Sequence, residues 1–239
     1  MKAKLGIILG SGLNKFAEEL SSQKIIYEDD ASFHKLKVLS GKINDQNITL
    51  FSGRRHYYEG NAGNNILRNI NIAKKQGLKF LIITNAAGGI NNNFHVPDLM
   101  LITSHLNFVN QRIPSKANTI FYDKKIIESV KKISREEKIN IRQGSYCCMN
   151  GPMYETNSEI RFLAKLGIDA VGMSTIPEII YANKIGIKTL AISCITNLLF
   201  ETSVKGTNHE EVIEAGKNAY TDFSRLIKKI ISKSSEILN

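Results

Sequence analysis

Two arginines, a histidine and a glutamate fall within the short run Arg54-Arg55-His56-Tyr57-Tyr58-Glu59, inside Gly53–Gly60. Guanidinium groups fork two donors onto a phosphate, and a carboxylate three residues from an imidazole can hold that ring in one orientation. The same residues also suit a solvated charged loop, and this segment alone does not choose. A second candidate is Gly10-Ser11-Gly12-Leu13. Glycines let backbone approach a ligand, and amides with a Ser hydroxyl can hold an anion. Lys15 stands where a dinucleotide fingerprint needs its third Gly, and no Gly-Lys-Ser/Thr follows, so neither that motif nor a Walker loop is present. A plain strand-to-helix turn is the other reading.

Four further segments carry small or polar residues where strands should end. Thr84-Asn85-Ala86-Ala87-Gly88-Gly89 would let a ligand lie against the backbone, or would simply make a tight turn. In Gly151-Pro152-Met153-Tyr154-Glu155-Thr156, Glu155 precedes a helix start. It either complements the helix dipole or accepts from donors on a heterocycle, on which Tyr154 could stack. In Val171-Gly172-Met173-Ser174-Thr175, Ser174 is a phosphate ligand or an N-cap, and Met173 reads as core. Asn197, in Ile195-Thr196-Asn197, reads as a turn residue or a fixed amide.

The elements that must position these groups alternate in kind. Apolar runs at Leu5–Leu9, Ile48–Phe51, Phe80–Thr84, Leu99–Thr103, Ala170–Gly172 and Thr189–Ile195 read as strands buried on both faces. Helical patterns lie near 62–76, 123–137, 156–166 and 176–185. Two capping boxes are written as Thr156-Asn157-Ser158-Glu159 and Thr207-Asn208-His209-Glu210. The second opens a helix whose apolar face is Val212, Ala215, Ala219, Phe223, Leu226 and Ile230. The alternation predicts an α/β fold with a parallel or mixed sheet. Without repeats or Pro-rich linkers, residues 1–239 read as one domain.

The chain has a formal net charge of +10, which suits an anionic partner. Its lysines are scattered, densest at Lys228, Lys229 and Lys233, with no basic block interleaved with aromatics. That pattern describes a solvated surface rather than a nucleic-acid face. Three cysteines, Cys147, Cys148 and Cys194, make an odd count without zinc spacing, as in a reducing compartment. The first apolar run stops at Gly10, with no cleavage signal, and no stretch is long enough to span a bilayer. A soluble, cytoplasmic protein is expected, with no membrane partner.

Together these segments resemble the trimeric branch of the purine nucleoside phosphorylase family. The matching words are residues 8–13, 53–60, 84–89, 151–156, 170–178, 195–197 and Asn-His-Glu-Glu-Val at 208–212, in the family's order. The resemblance implies a mixed central sheet curling towards a barrel, flanked by helices, and a homotrimer. It implies reversible phosphorolysis of purine nucleosides with inorganic phosphate as co-substrate and no cofactor or metal. Ser11, Arg54, His56, the Ala86 backbone and Ser174 would hold phosphate, and Glu59 would orient His56. Tyr58 and Met173 would contact the ribose, and His209 its 5′-hydroxyl. Tyr154, Glu155, Asn197 and Val212 would surround the purine. His34 would make a secondary phosphate contact. His56, Glu59, Glu155 and Asn197 are the implied catalytic set.

Asn197 stands where methylthioadenosine phosphorylases carry Asp, which implies 6-oxopurines such as inosine, guanosine and xanthosine. Three departures qualify the match. Tyr154 replaces a frequent Phe. Gln111–Lys116 lacks the Phe-Pro pair with which a neighbouring subunit closes the ribose pocket. Leu198–Gly206 matches poorly and is expected to be a gate over the base. A methylthioadenosine phosphorylase, a nucleoside hydrolase and a basic nucleic-acid-binding protein are the alternatives.

Overall fold

A computed structural model describes residues 4–30, 35–60, 65–109, 121–199 and 209–238, with only the backbone of His209. Nine strands form one mixed sheet: β1 (Leu5–Leu9), β2 (Ser21–Asp29), β3 (Leu36–Ile43), β4 (Gln46–Ser52), β5 (Phe80–Gly89), β6 (Leu99–Asn107), β7 (Ile141–Cys148), β8 (Ala170–Gly172) and β9 (Lys188–Leu198). Their order is β2-β3-β4-β1-β5-β8-β7-β6-β9, and β9 pairs back onto β5. The last five strands therefore close into a barrel, and the first four extend from β5 as a twisted wing.

Among the described residues, six α-helices flank the sheet: α1 (Arg68–Lys75), α2 (Lys124–Glu136), α3 (Asn157–Lys165), α4 (Ile176–Lys184), α5 (His209–Ser232) and α6 (Ser234–Leu238). The period of two along the strands divides the core. Phe80 and Ile82 pack with Ile126 and Val130 of α2 and Phe223 and Leu226 of α5. Leu81 and Ile83 pack with Ile70 of α1 and Ile176 and Ile179 of α4. Both faces are covered, which is why β1 and β5 read as unbroken apolar runs. Every residue of the expected apolar face on α5, from Val212 to Ile230, is buried.

Some expectations need correction. The Thr84–Gly89 segment is not a turn after a strand. It continues β5, with Ala86 opposite Cys194 and Gly88 opposite Asn197 across the parallel pair. Asn197 likewise lies within β9 rather than in a turn. Small residues here let two adjacent strands run on to the site, instead of releasing the chain. The Gly10–Leu13 turn leads into a 3-10 segment, Asn14–Glu19, and not an α-helix. Strands β2, β3 and β7 had no sequence expectation. β2 is a largely exposed edge and β7 is polar at its start, so neither carries a continuous apolar run. Lys228, Lys229 and Lys233 face Glu19, Glu137 and Glu136 at 2.8, 2.9 and 2.6 Å.

Candidate active site

The buried Arg54 follows β4 and reaches under the sheet's carboxyl ends. Its Nη1 donates to Ser174 Oγ at 2.8 Å and to Thr175 Oγ1 at 3.3 Å. Its Nη2 donates to the Thr84 carbonyl at 2.7 Å, and Nε lies 3.5 Å from Glu178 Oε2. A guanidinium held on three sides cannot swing, so it offers charge in one place. Burial pushes the Glu178 carboxyl up, and Arg54 pulls it back down.

Ser174 was expected as a phosphate ligand or an N-cap. The N-cap of α4 is Thr175, whose side chain makes no cap bond, at φ +81°. A β-branched residue there is strained by about 1–3 kcal/mol and needs over-determined surroundings. They are present: Asn85 Nδ2 donates to Thr175 Oγ1 at 2.8 Å. The Ser174 carbonyl accepts from Tyr146 Oη at 3.3 Å and from Cys148 Sγ at 3.1 Å. The Ser174 hydroxyl is thereby fixed beside Arg54.

His56 Nδ1 lies 2.9 Å from Glu59 Oε1, and its ring stacks on Tyr58 at 4.9 Å between centroids. A carboxylate at this distance favours the tautomer that carries the proton on Nδ1 and holds the ring in one orientation. Burial, with Glu59 adding to it, raises the Tyr58 phenol to about 12, so it stays neutral. Tyr58 and Met173 close on Gly151, where a Cβ would lie 2.8 Å from Tyr58 Cδ1 and 2.6 Å from Met173 Sδ. Only glycine admits both side chains.

Glu155 is positioned by the capping box that follows it. Thr156 N donates to Glu159 Oε2 at 2.8 Å, and Glu159 N donates to Thr156 Oγ1 at 3.3 Å. Burial pushes the Glu155 carboxyl up; a backbone hydrogen bond offsets part of that and Glu159 adds to it. On β9, Thr196 Oγ1 lies 3.2 Å from Asn197 Oδ1, an arrangement in which the hydroxyl donates to the amide oxygen.

One cavity of about 620 Å³ gathers these groups. Ser11, Arg54, His56, Tyr58, Ala86, Tyr154, Glu155, Met173, Ser174, Asn197 and Val212 all line it. Its size suits a drug-sized molecule. Glu59 supports His56 from outside the lining. His209 begins α5, but its side chain is outside the described residues, as are His34, Gln111–Lys116, the second capping box at Thr207 and residues 200–206 of the expected gate. The two residues before that stretch are fixed: Leu198 ends β9 and the Leu199 amide donates to the Gly89 carbonyl at 2.8 Å.

Arg55, the second arginine of the sequence motif, points elsewhere and pairs with Asp29 at 2.6 Å. Sequence reasoning gave no role to Tyr146, Thr175 or Glu178. Pro177-Glu178 lies inside a marked segment, so Glu178 was findable as a carboxylate among the apolar residues Ile176, Pro177, Ile179 and Ile180. A tyrosine in a strand gives no such signal.

An arginine flanked by hydroxyls, an acid-held imidazole, and a carboxylate and amide line one cavity, and groups of these types can bind an anion and a polar heterocycle. The sequence model of the phosphorylase superfamily matches residues 4–232, and the chain belongs to that superfamily. It is 36% identical to purine nucleoside phosphorylase 1 of Bacillus subtilis (strain 168), over 96% of this chain and 92% of the relative. The crystal structure of Schistosoma mansoni purine nucleoside phosphorylase with adenosine superposes with a TM-score of 0.88 at 29% identity, covering 98% of this chain and 91% of that one. The complex of the same enzyme with inosine gives 0.86 at 29% identity, covering 97% and 90%.

Proposed function

We propose that the chain cleaves purine nucleosides with inorganic phosphate in this cavity, releasing free base and pentose 1-phosphate, with 6-oxopurines preferred. The observation that carries this reading is the shared lining: Ser11, Arg54, His56 and Ser174 open onto the same space as Glu155 and Asn197.

Ser11, Arg54, His56, Ser174 and the Ala86 backbone hold phosphate. Tyr58 and Met173 hold the sugar. Tyr154, Glu155, Asn197 and Val212 hold the base. As the C1′–N9 bond stretches, positive charge grows on the sugar and the bond pair moves onto the purine. Bound phosphate stabilises the first and then bonds to C1′ through one oxygen. With Asn197 Oδ1 occupied by Thr196, its Nδ2 protons are directed to the purine N7/O6 edge, where the leaving charge gathers. Glu155 accepts from N1–H. Each such contact, stronger in the transition state than before it, is worth a few kcal/mol.

The working form is a cytoplasmic homotrimer in purine salvage. Exposed Met153, Phe162 and Leu166, in the loop before α3, on α3 and at its C-cap, are apolar surface that a second copy would cover. Turnover of inosine, guanosine, xanthosine and adenosine, each with and without phosphate, tests the function. The expected result is phosphate-dependent release of base, with adenosine slowest. Equal turnover without phosphate would make the protein a hydrolase, and adenosine cleaved as fast as inosine would remove the 6-oxo preference.

A further inference from the structure

Gly216 sits in the interior of α5, where glycine is the poorest helix former short of proline. Its neighbours Ala215 and Ala219 show that a small methyl side chain is accommodated nearby on the same buried side. At Gly216 it is not. A Cβ there would lie 2.7 Å from Gly12 Cα and 2.8 Å from both the Gly12 carbonyl carbon and oxygen. The contact is backbone on backbone, and Gly12 itself stands at φ +79°. On the opposite side of the same turn, a Cβ on Gly10 would lie 2.5 Å from Asn85 Cα. The Ser11 turn is therefore gripped between β5 and α5, with glycine backbone close against backbone on both sides and the Gly10 amide donating to Thr84 Oγ1 at 3.0 Å.

Rolling or sliding α5 to absorb an added methyl would disturb its seam with the 3-10 segment Asn14–Glu19. Lys15 Nζ lies 4.8 Å from the Tyr220 ring, Tyr220 Oη donates to Glu19 at 2.7 Å, and Phe16 meets Phe223 edge-on at 5.6 Å. Lys228 closes the seam on Glu19 at 2.8 Å. What can yield is the first part of the helix, which carries Val212, or the turn, which carries Ser11. Both line the cavity.

We propose that Gly216 is a positioning residue, and that its bare contact with Gly12 ties the Ser11 turn to the first turns of α5 so that the phosphate and base sites keep one spacing. The proposal rests on the functional reading above. It assigns no ligand contact to Gly216; it acts through Ser11 and Val212.

The test is Gly216→Ala in the full chain, beside Asn218→Ala, an exposed position on the same helix. Gly216→Ala raises the KM for phosphate and the KM for inosine together, each about fivefold or more, in protein that still melts cooperatively. Calorimetric titration with phosphate alone shows the same weakening. Asn218→Ala leaves both KM values within twofold. A merely structural role would lower the amount of folded enzyme and leave both KM values alone, so Gly216→Ala with both unchanged overturns the proposal. Should that variant not fold, hydrogen exchange on the wild type decides. Phosphate alone slows exchange at residues 11–13 and at 212–216; slowing confined to 11–13 overturns it. A wild-type enzyme that turns over nucleoside without phosphate overturns the functional reading instead, a result separate from any effect of Gly216→Ala.

Discussion

At the scale of single residues, the proposed base site pairs one acceptor, Glu155, with one donor, Asn197, each next to a residue that holds it. Glu155 is aimed by the capped helix behind it, and Asn197 by Thr196 on the same strand. Glu155→Ala and Asn197→Ala are each expected to lower kcat/KM for inosine at least tenfold, about 1.4 kcal/mol of transition-state stabilisation. Steady-state kinetics at saturating phosphate checks this, and near wild-type values for both would remove their roles. A pH dependence follows from the burial of Glu155. In the proposed contact the ionised carboxylate accepts N1–H more strongly than the neutral acid does, and burial raises its pKa. As pH falls through that raised value the acceptor weakens and the KM for inosine is expected to rise, beginning at a higher pH than an ordinary glutamate would give. Glu155→Gln, already neutral, is expected to have a weaker substrate interaction and a flatter acid limb. An acid limb of unchanged slope in that variant would assign it to another group.

At the scale of elements, what was legible in the sequence is what local chemistry alone determines. The Thr156 capping box forms as written, because its two hydrogen bonds close within four residues. The buried stripe of α5 follows from spacing along one helix. The continuous apolar strands are found where expected. What local pattern does not encode is how far a strand runs once a neighbour pairs with it. Small and polar types usually end strands, so the sequence places Ala86 and Asn197 at strand ends, as ligand contacts or as turn residues. Parallel pairing between β5 and β9 carries both through to the cavity. The Arg54–Glu178 pair and the Tyr146 bond to the Ser174 carbonyl join residues far apart in sequence, and the individual segments did not reveal those contacts. The cap yields its own prediction. Thr156→Ala removes a helix cap worth about 1 kcal/mol. In a protein of this size that lowers the melting temperature by about 2–4 °C. Because Glu155 sits one residue before the cap, the KM for inosine also rises while the KM for phosphate holds. Calorimetry and kinetics on one preparation check both, and a fall in stability with unchanged inosine KM would separate the cap from the site.

At the scale of the molecule, the cavity draws on the β1 turn, the segment after β4, both barrel strands β5 and β9, β8, the approach to α3 and the start of α5. No single element holds a ligand, so occupancy of the cavity is linked to the folded arrangement of the wing, barrel and helices together. A ligand that binds only this arrangement stabilises it by RT ln(1 + [L]/Kd), about 2.7 kcal/mol at a hundredfold excess over Kd. For a chain of this size, that corresponds to a rise in melting temperature of about 5–10 °C. Phosphate is expected to produce that rise without nucleoside, and hypoxanthine to add to it. Chloride at matched ionic strength should produce little, since screening acts on the exposed lysine pairs, which contribute little each. His56 lines the cavity with its ring held by Glu59, so His56→Ala removes one proposed phosphate contact and leaves the partners of Arg54 and Glu178 in place. The variant should keep the melting temperature of the phosphate-free protein within a few degrees and lose most of the phosphate-induced rise. A phosphate response equal to that of chloride, or one that His56→Ala leaves intact, would place the anion elsewhere on this basic surface and detach it from the cavity.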